Sequence, residues 1–189
     1  ANRFRVALSG SFQTDNGEPV FPMFDLSPLV NDPDIEFDYV YGVGGRIAAQ
    51  SLEDFDALIL LLEKFDADSI PLSGRLSLIT RFGVGYDTVD VEACTAAGIA
   101  VGITPDGVRR PVAASVLTFI LALSGKLILK DTLVRGGPAN FAQRSNHMGT
   151  GLVGRTLGSI GLGNIGAEVF RLCEPLDMRF IAYDPYIDP

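Results

Sequence analysis

The stretch SIGLGNIGAEVF, residues 159–170, sets glycines at 161, 163 and 166 in G-x-G-x-x-G spacing. Each has a mechanical use: Gly161 permits a tight turn, Gly163 lets a pyrophosphate approach the backbone, and Gly166 allows a helix to pack closely on a strand. The helix that follows would offer unpaired N–H groups and a partial positive charge to phosphates. Asp184 ends the next apolar run, RFIAYD, eighteen positions after Gly166, near the spacing at which a carboxylate receives ribose hydroxyls. A carboxylate there repels the 2′-phosphate of NADP and so favours NAD, although on the residues alone FAD or S-adenosylmethionine also suits such a turn. The bland alternatives are a strand-to-helix turn with no ligand and an Asp184 that caps the turn after it.

RFGVGYDTVD, residues 81–90, is a second glycine turn at the end of an apolar run. Its Val84 and Gly85 amides can face a small anion, or the segment is a simple strand–helix connection. Arg81 beside it can steer an acidic substrate or form a surface ion pair. The single histidine, His147, lies in a polar loop ahead of the first fingerprint, and Glu168 and Glu174 read as the solvated face of a helix. Cys94 and Cys173 have neither CxxC spacing nor metal-binding companions, so no metal is expected and both read as small buried hydrophobes.

These turns need strands and helices to hold them, and the chain supplies both in alternation. FRVALSG, IEFDYVYG (35–42), DALILLLE (56–63), LSLITRFG and IAVGITP read as strands, the last stopped at Pro105. RIAAQSLEDF (46–55) suits a connecting helix, and DTVDVEACTAAG a helix closed by a left-handed Gly98. Such alternation predicts an α/β fold with parallel sheets. RRPVAASVLTFILALSGKLILKDTLVRGG predicts one long helix with Pro111 in its first turn and Gly136 as its stop. So apolar a helix is buried between domains or subunits, or forms the core of one domain. Residues 136–154 read as a loop, and a boundary near Pro105 divides the chain into residues 1–105 and 106–189.

With 47% apolar and 20% charged residues over 189 positions, the chain has the composition of a globular protein. Its net charge of −8, with no basic block, argues against nucleic acid or an anionic membrane as a partner. No apolar run reaches the ~18 residues of a membrane span, and no signal peptide is visible, so cytoplasm is the expected location.

Taken together, RFGVGYDTVDVEACTAAGIAVGITP, the long apolar helix and GRTLGSIGLGNIGAEVFRLCEPLDMRFIAYDP resemble the D-isomer-specific 2-hydroxyacid dehydrogenase family over about residues 76–189. The resemblance implies a flavodoxin-like substrate domain and the first part of a Rossmann NAD domain, with the active site in the cleft between them. It implies that Val84 and Gly85 hold the substrate carboxylate, that Asn164 and Ile165 cover the pyrophosphate of NAD beside Gly161, Gly163 and Gly166, and that Asp184 binds the ribose. Hydride would pass between nicotinamide and a small 2-hydroxy or 2-oxo acid. Two positions depart from the family pattern: Ala114 stands where a Glu is usual, and Ile103 precedes Thr104-Pro105 where Asn is usual. The family's catalytic His, its carboxylate and its Arg have no counterpart here, so no catalytic residue is assigned and a fragment inactive alone is expected. The long apolar helix suggests a homodimer, and the alternative function is an NAD-binding regulatory module of the corepressor kind.

Overall fold

The computed structural model describes residues 3–187, which fall into two compact units, Ala1–Thr104 and Pro105–Pro189. The first unit is a five-stranded sheet of β1 (Phe4–Ser9), β2 (Ile35–Val40), β3 (Ala57–Leu60), β4 (Leu78–Arg81) and β5 (Ala100–Gly102). All pairings are parallel, in the order β2-β1-β3-β4-β5, the flavodoxin-like arrangement. The central strands are apolar at consecutive positions because each face must be covered. Ala7, Leu58, Leu60 and Ile79 belong to one buried cluster, while Leu8 joins Phe12 and Leu61 in a second. Truncating one of these fully buried leucines would cost about 2–5 kcal/mol through lost burial and the cavity left behind.

The connections are leaner than the sequence patterns suggest. Helix α1 (Ser27–Val30) is one turn long, and the helix expected over residues 46–55 is only a 3-10 turn, Ala49–Leu52. Ile47 explains this, since its N–H donates to the Lys64 carbonyl at 3.0 Å and holds the start of the segment extended. Helix α2 (Val91–Ala96) starts later than expected because Asp90 is its cap, accepting the Ala93 N–H at 2.9 Å. Gly98 after it takes φ +73°, as expected for a left-handed stop.

The second unit begins with α3 (Pro105–Ser124), α4 (Leu127–Arg135) and α5 (Pro138–Phe141). Strand β6 (Thr156–Ile160), helix α6 (Asn164–Cys173) and strand β7 (Arg179–Tyr183) follow, with β6 and β7 parallel. The expected single long helix is thus two. Thr150 donates its N–H to the Ser124 carbonyl at 2.7 Å, taking the acceptor the helix would have used to continue, and Lys126 turns left-handed at φ 52°. Strand β5 ends at Gly102, and Pro105 opens α3 rather than stopping the strand. Pro111 therefore lies inside the helix, not in its first turn, and leaves one intrahelical bond unmade.

One face of α3 packs on α6, where Ala113, Val169 and Cys173 are buried among Val116, Leu117 and Ile120. The opposite face is not covered within the described residues, since Phe119, Leu121 and Leu123 are exposed, as are Leu127 and Ile128 at the start of α4. Contrary to the sequence expectation, Pro105–Ser124 is also long and apolar enough, at mean hydropathy 1.3, to pass the length and composition test for a membrane span. Cys94 and Cys173 are free and buried, and burial pushes both thiols up.

Glu168 departs from its expected place on a solvated face. Its side chain is 13% exposed and bridges two helices: Arg110 of α3 reaches it at 2.7 Å, and Arg171 grips both oxygens at 2.7 and 3.0 Å. Arg171 first, and Arg110 next, draw its carboxyl from an ordinary 4.5 down to about 2. A carboxyl lowered by folding stabilises the folded state above its unfolded value and loses that effect as pH falls toward the folded one. Chemical unfolding of the wild type should therefore become easier as pH drops from 4.5 to about 2, and Glu168→Gln should show a shallower slope across that window. Equal slopes would mean the clamp does not form.

Candidate functional site

The turn after β6 is built by backbone crowding. Gly161 takes φ +91°, a conformation that L side chains resist, while its N–H still donates to the Tyr183 carbonyl at 2.8 Å. A β-carbon on Gly166 would lie 2.5 Å from the Gly161 carbonyl oxygen, whereas one on Gly163 would meet nothing within 4 Å. Gly166 is thus a packing glycine, and Gly163 keeps open the space beside the helix start. Helix α6 makes its first bond from the Ala167 N–H to the Gly163 carbonyl at 2.9 Å. The amides of Asn164, Ile165 and Gly166 are left without intrahelical partners and carry the positive end of the helix dipole. Asn164 is exposed, while the Ile165 side chain packs into the cluster beneath α6.

Asp184 acts twice on this turn. Its Oδ1 accepts the Tyr186 N–H at 3.0 Å, the capping contact that the sequence allowed as an alternative, and its Oδ2 accepts the Leu162 N–H at 2.7 Å. The second bond ties the end of β7 to the middle of the glycine turn and was not foreseen. The Leu162 amide first, and Tyr186 next, hold the carboxyl below its ordinary value, so it is ionised at neutral pH. Each carboxylate oxygen has a second lone pair, which leaves acceptor capacity for hydroxyls of a bound sugar.

In the first unit the second glycine turn follows β4. Gly83 takes φ +137° and is clamped by Thr104, whose hydroxyl accepts the Gly83 N–H at 2.9 Å and whose own N–H donates to the Gly83 carbonyl at 2.8 Å. Val84 is half-buried and Gly85 exposed. Among the described residues their amides have no hydrogen-bond partner, so two adjacent donors stand ready for an anion. Sequence reasoning missed Thr104, although its place just past β5, the strand beside β4, was a usable signal.

Among the described residues Arg81 forms no surface ion pair: its Nη1 donates to the Phe82 carbonyl, and its buried Nε has no partner among them. Also missed was Glu63, whose Oε1 accepts the Ser11 N–H at 2.9 Å while Oε2 accepts the Ser11 hydroxyl at 2.7 Å. These bonds hold the turn after β1 against the end of β3. His147 ends the 3-10 turn Arg144–His147 and has no hydrogen-bonded carboxylate among the described residues. No cluster of metal-binding side chains occurs among them either.

Residues 25–165 match the family model described as D-isomer specific 2-hydroxyacid dehydrogenase, catalytic domain. The chain is 32% identical over 154 residues to a D-3-phosphoglycerate dehydrogenase of Archaeoglobus fulgidus, covering 81% of this chain and 29% of that protein. It is 33% identical over 141 residues to a glyoxylate reductase of Korarchaeum cryptofilum, covering 74% and 42%. This chain thus spans less than half the length of these curated relatives. The fold matches a D-lactate dehydrogenase of Aquifex aeolicus, solved with NAD and lactic acid, at a TM-score of 0.74 and 24% identity, covering 97% of this chain and 52% of that one. By the extent of the matched segment, the chain belongs to the D-isomer specific 2-hydroxyacid dehydrogenase family.

Proposed function

We propose that this chain carries the dinucleotide and substrate anchors of an NAD-dependent oxidoreductase acting on a small D-2-hydroxy or 2-oxo acid. The observation that carries the reading is the open space at Gly163, bordered by free helix-start amides and by the ionised Asp184. A pyrophosphate would rest on the Asn164 and Ile165 amides, with Gly161 and Gly166 setting the turn. Asp184 would accept the adenosine ribose hydroxyls and disfavour a 2′-phosphate, which selects NAD over NADP. When bound, NAD supplies hydride chemistry at its nicotinamide.

Residues 1–105 would be the substrate domain and residues 106–189 the first part of the NAD domain. In the substrate domain the Val84 and Gly85 amides would hold the carboxylate of the acid and orient its neighbouring carbon. The D-lactate dehydrogenase of similar fold was solved with NAD and lactic acid, ligands of the two classes proposed here. Among the described residues no carboxylate is hydrogen-bonded to His147 to support proton exchange with the substrate oxygen, which supports reading the 189-residue polypeptide as inactive alone. The exposed apolar face of α3 and α4 suits a second copy of the chain and supports a homodimer.

Calorimetry with the 189-residue chain should register NADH binding about tenfold or more tighter than NADPH binding. Asp184→Ala should erase that preference, and an NADPH preference in the wild type would remove the role given to Asp184. Gly163→Ala should leave stability within about 1 kcal/mol, the scale of changes at a helix cap, yet weaken NADH. Gly166→Ala should destabilise by about 1–3 kcal/mol through overpacking against Gly161. If both variants bind NADH like the wild type, the phosphate site lies elsewhere. Purified wild-type chain should oxidise no NADH with glyoxylate, hydroxypyruvate or pyruvate, and measurable turnover would overturn its assignment as an inactive portion.

A further inference from the structure

Three loops meet at the carboxyl edge of the first sheet, and their register is known. Leu60 pairs with Arg81, and the Phe82 N–H donates to the Leu60 carbonyl at 2.9 Å, which carries the register past the strands and sets Leu62 level with Gly83. On the other side, Leu8 pairs with Ile59 and the Leu61 N–H donates to Ser9 Oγ at 2.8 Å, which brings the turn Gly10–Phe12 beside Leu61–Glu63. Leu62 is 68% exposed, an apolar side chain left in solvent at the register position of Gly83, the residue before Val84.

Aromatic rings continue that surface. Phe82 directly precedes Gly83 and has Phe12 at 5.3 Å and Phe24 at 5.1 Å between ring centroids. Phe21, 40% exposed, leans on Phe82 at 5.6 Å. The side chains packed on Phe82 are therefore aromatic, while Asp87 Oδ2 lies 3.9 Å from where a β-carbon on Gly85 would stand.

Charge at this edge points the same way. The unit Ala1–Thr104 has six lysines and arginines against sixteen aspartates and glutamates. Five of the six cations are held by carboxylates: Arg3 by Glu36, Arg5 by Asp54, Arg46 and Lys64 by Asp66, and Arg75 by Asp56. Among the described residues of this unit, only Arg81, running alongside Gly83, is not committed in this way, and one guanidinium matches one carboxylate. Glu63 lies on the β1 side of this edge, where Ser11 holds it. It is 8% exposed, and although burial pushes its carboxyl up, bonds led by the Ser11 hydroxyl hold it below the ordinary value.

On the reading that Val84 and Gly85 hold the substrate carboxylate, we infer that the remainder of the substrate is an uncharged apolar or aromatic side chain, and that phosphorylated acids are rejected. A phosphate dianion next to this turn would find no second uncommitted cation among the described residues of this unit, would lie close to the Asp87 carboxylate beside Gly85, and would desolvate against Leu62 and Phe21. This separates the chain from relatives named for a phosphoglycerate, despite 32% identity to one of them.

The test is a titration of the ¹⁵N-labelled 189-residue chain with oxalate, D-3-phenyllactate and D-3-phosphoglycerate, read at the Val84 and Gly85 amides. All movement should be stronger with oxalate and phenyllactate, and phenyllactate should bind about tenfold or more tighter than phosphoglycerate. If oxalate moves the amides but phosphoglycerate binds as well as phenyllactate or better, the side-chain inference fails while the carboxylate anchor stands. If none of the three moves them, the anchor fails and takes the inference with it. Leu62→Arg, a change at an exposed position, should improve phosphoglycerate binding about fivefold or more relative to oxalate. No gain in that variant would place Leu62 away from the bound acid and overturn its part in selection.

Discussion

The second unit depends on one backbone-on-backbone approach, the start of α6 lying against the Gly161 carbonyl where Gly166 leaves no room for a β-carbon. That contact fixes the angle at which the helix leaves the strand, and so fixes where its free N–H groups point. Asp184 secures the turn from the neighbouring strand through the Leu162 amide. Further along the helix, Glu168 fastens α6 to α3 through Arg110. A helix held in both places keeps its dipole and its open amides in place before any ligand arrives, which lowers the ordering cost of binding.

The first unit solves a similar problem with other residues. Its glycine turn is also placed at the carboxyl end of a parallel strand, where open α/β sheets characteristically bind ligands. Here a threonine replaces the carboxylate as the tether: Thr104 closes two hydrogen bonds on Gly83 and leaves the next two amides free. Glu63 and Ser11 brace the adjacent loop, so the surroundings of the free amides are set by hydrogen bonds inside the unit. Both turns use a positive-φ glycine to aim backbone donors outward.

The strand positions and the glycine turns were legible in the sequence because their requirements are local. A run such as ALIL between breakers has few alternatives, and a G-x-G-x-x-G after a strand states its own geometry. Contacts made across the chain were not legible. Glu168 looked like a solvated residue because its partner Arg110 lies 58 positions away. The break between α3 and α4 was hidden because it arises from Thr150 taking the Ser124 carbonyl, and the helical pattern of residues 46–55 lost to a backbone bond from Ile47 to Lys64. Asp184 was legible as an acid at the right distance, but its bond to Leu162 requires the register of β6 against β7. Pro111 misled because a proline is a good first-turn residue, and Pro105, six positions earlier, had already taken that role.

The dinucleotide anchor can be observed without any catalysis by adding ADP-ribose, which carries the pyrophosphate and both sugars but no nicotinamide, to the ¹⁵N-labelled chain. Saturable shifts centred on the amides of Gly163, Asn164 and Ile165, with Leu162 responding as Asp184 receives the ribose, are the expected result. Shifts absent from these amides, or confined to other parts of the chain, would contradict the assignment of this turn as the phosphate site.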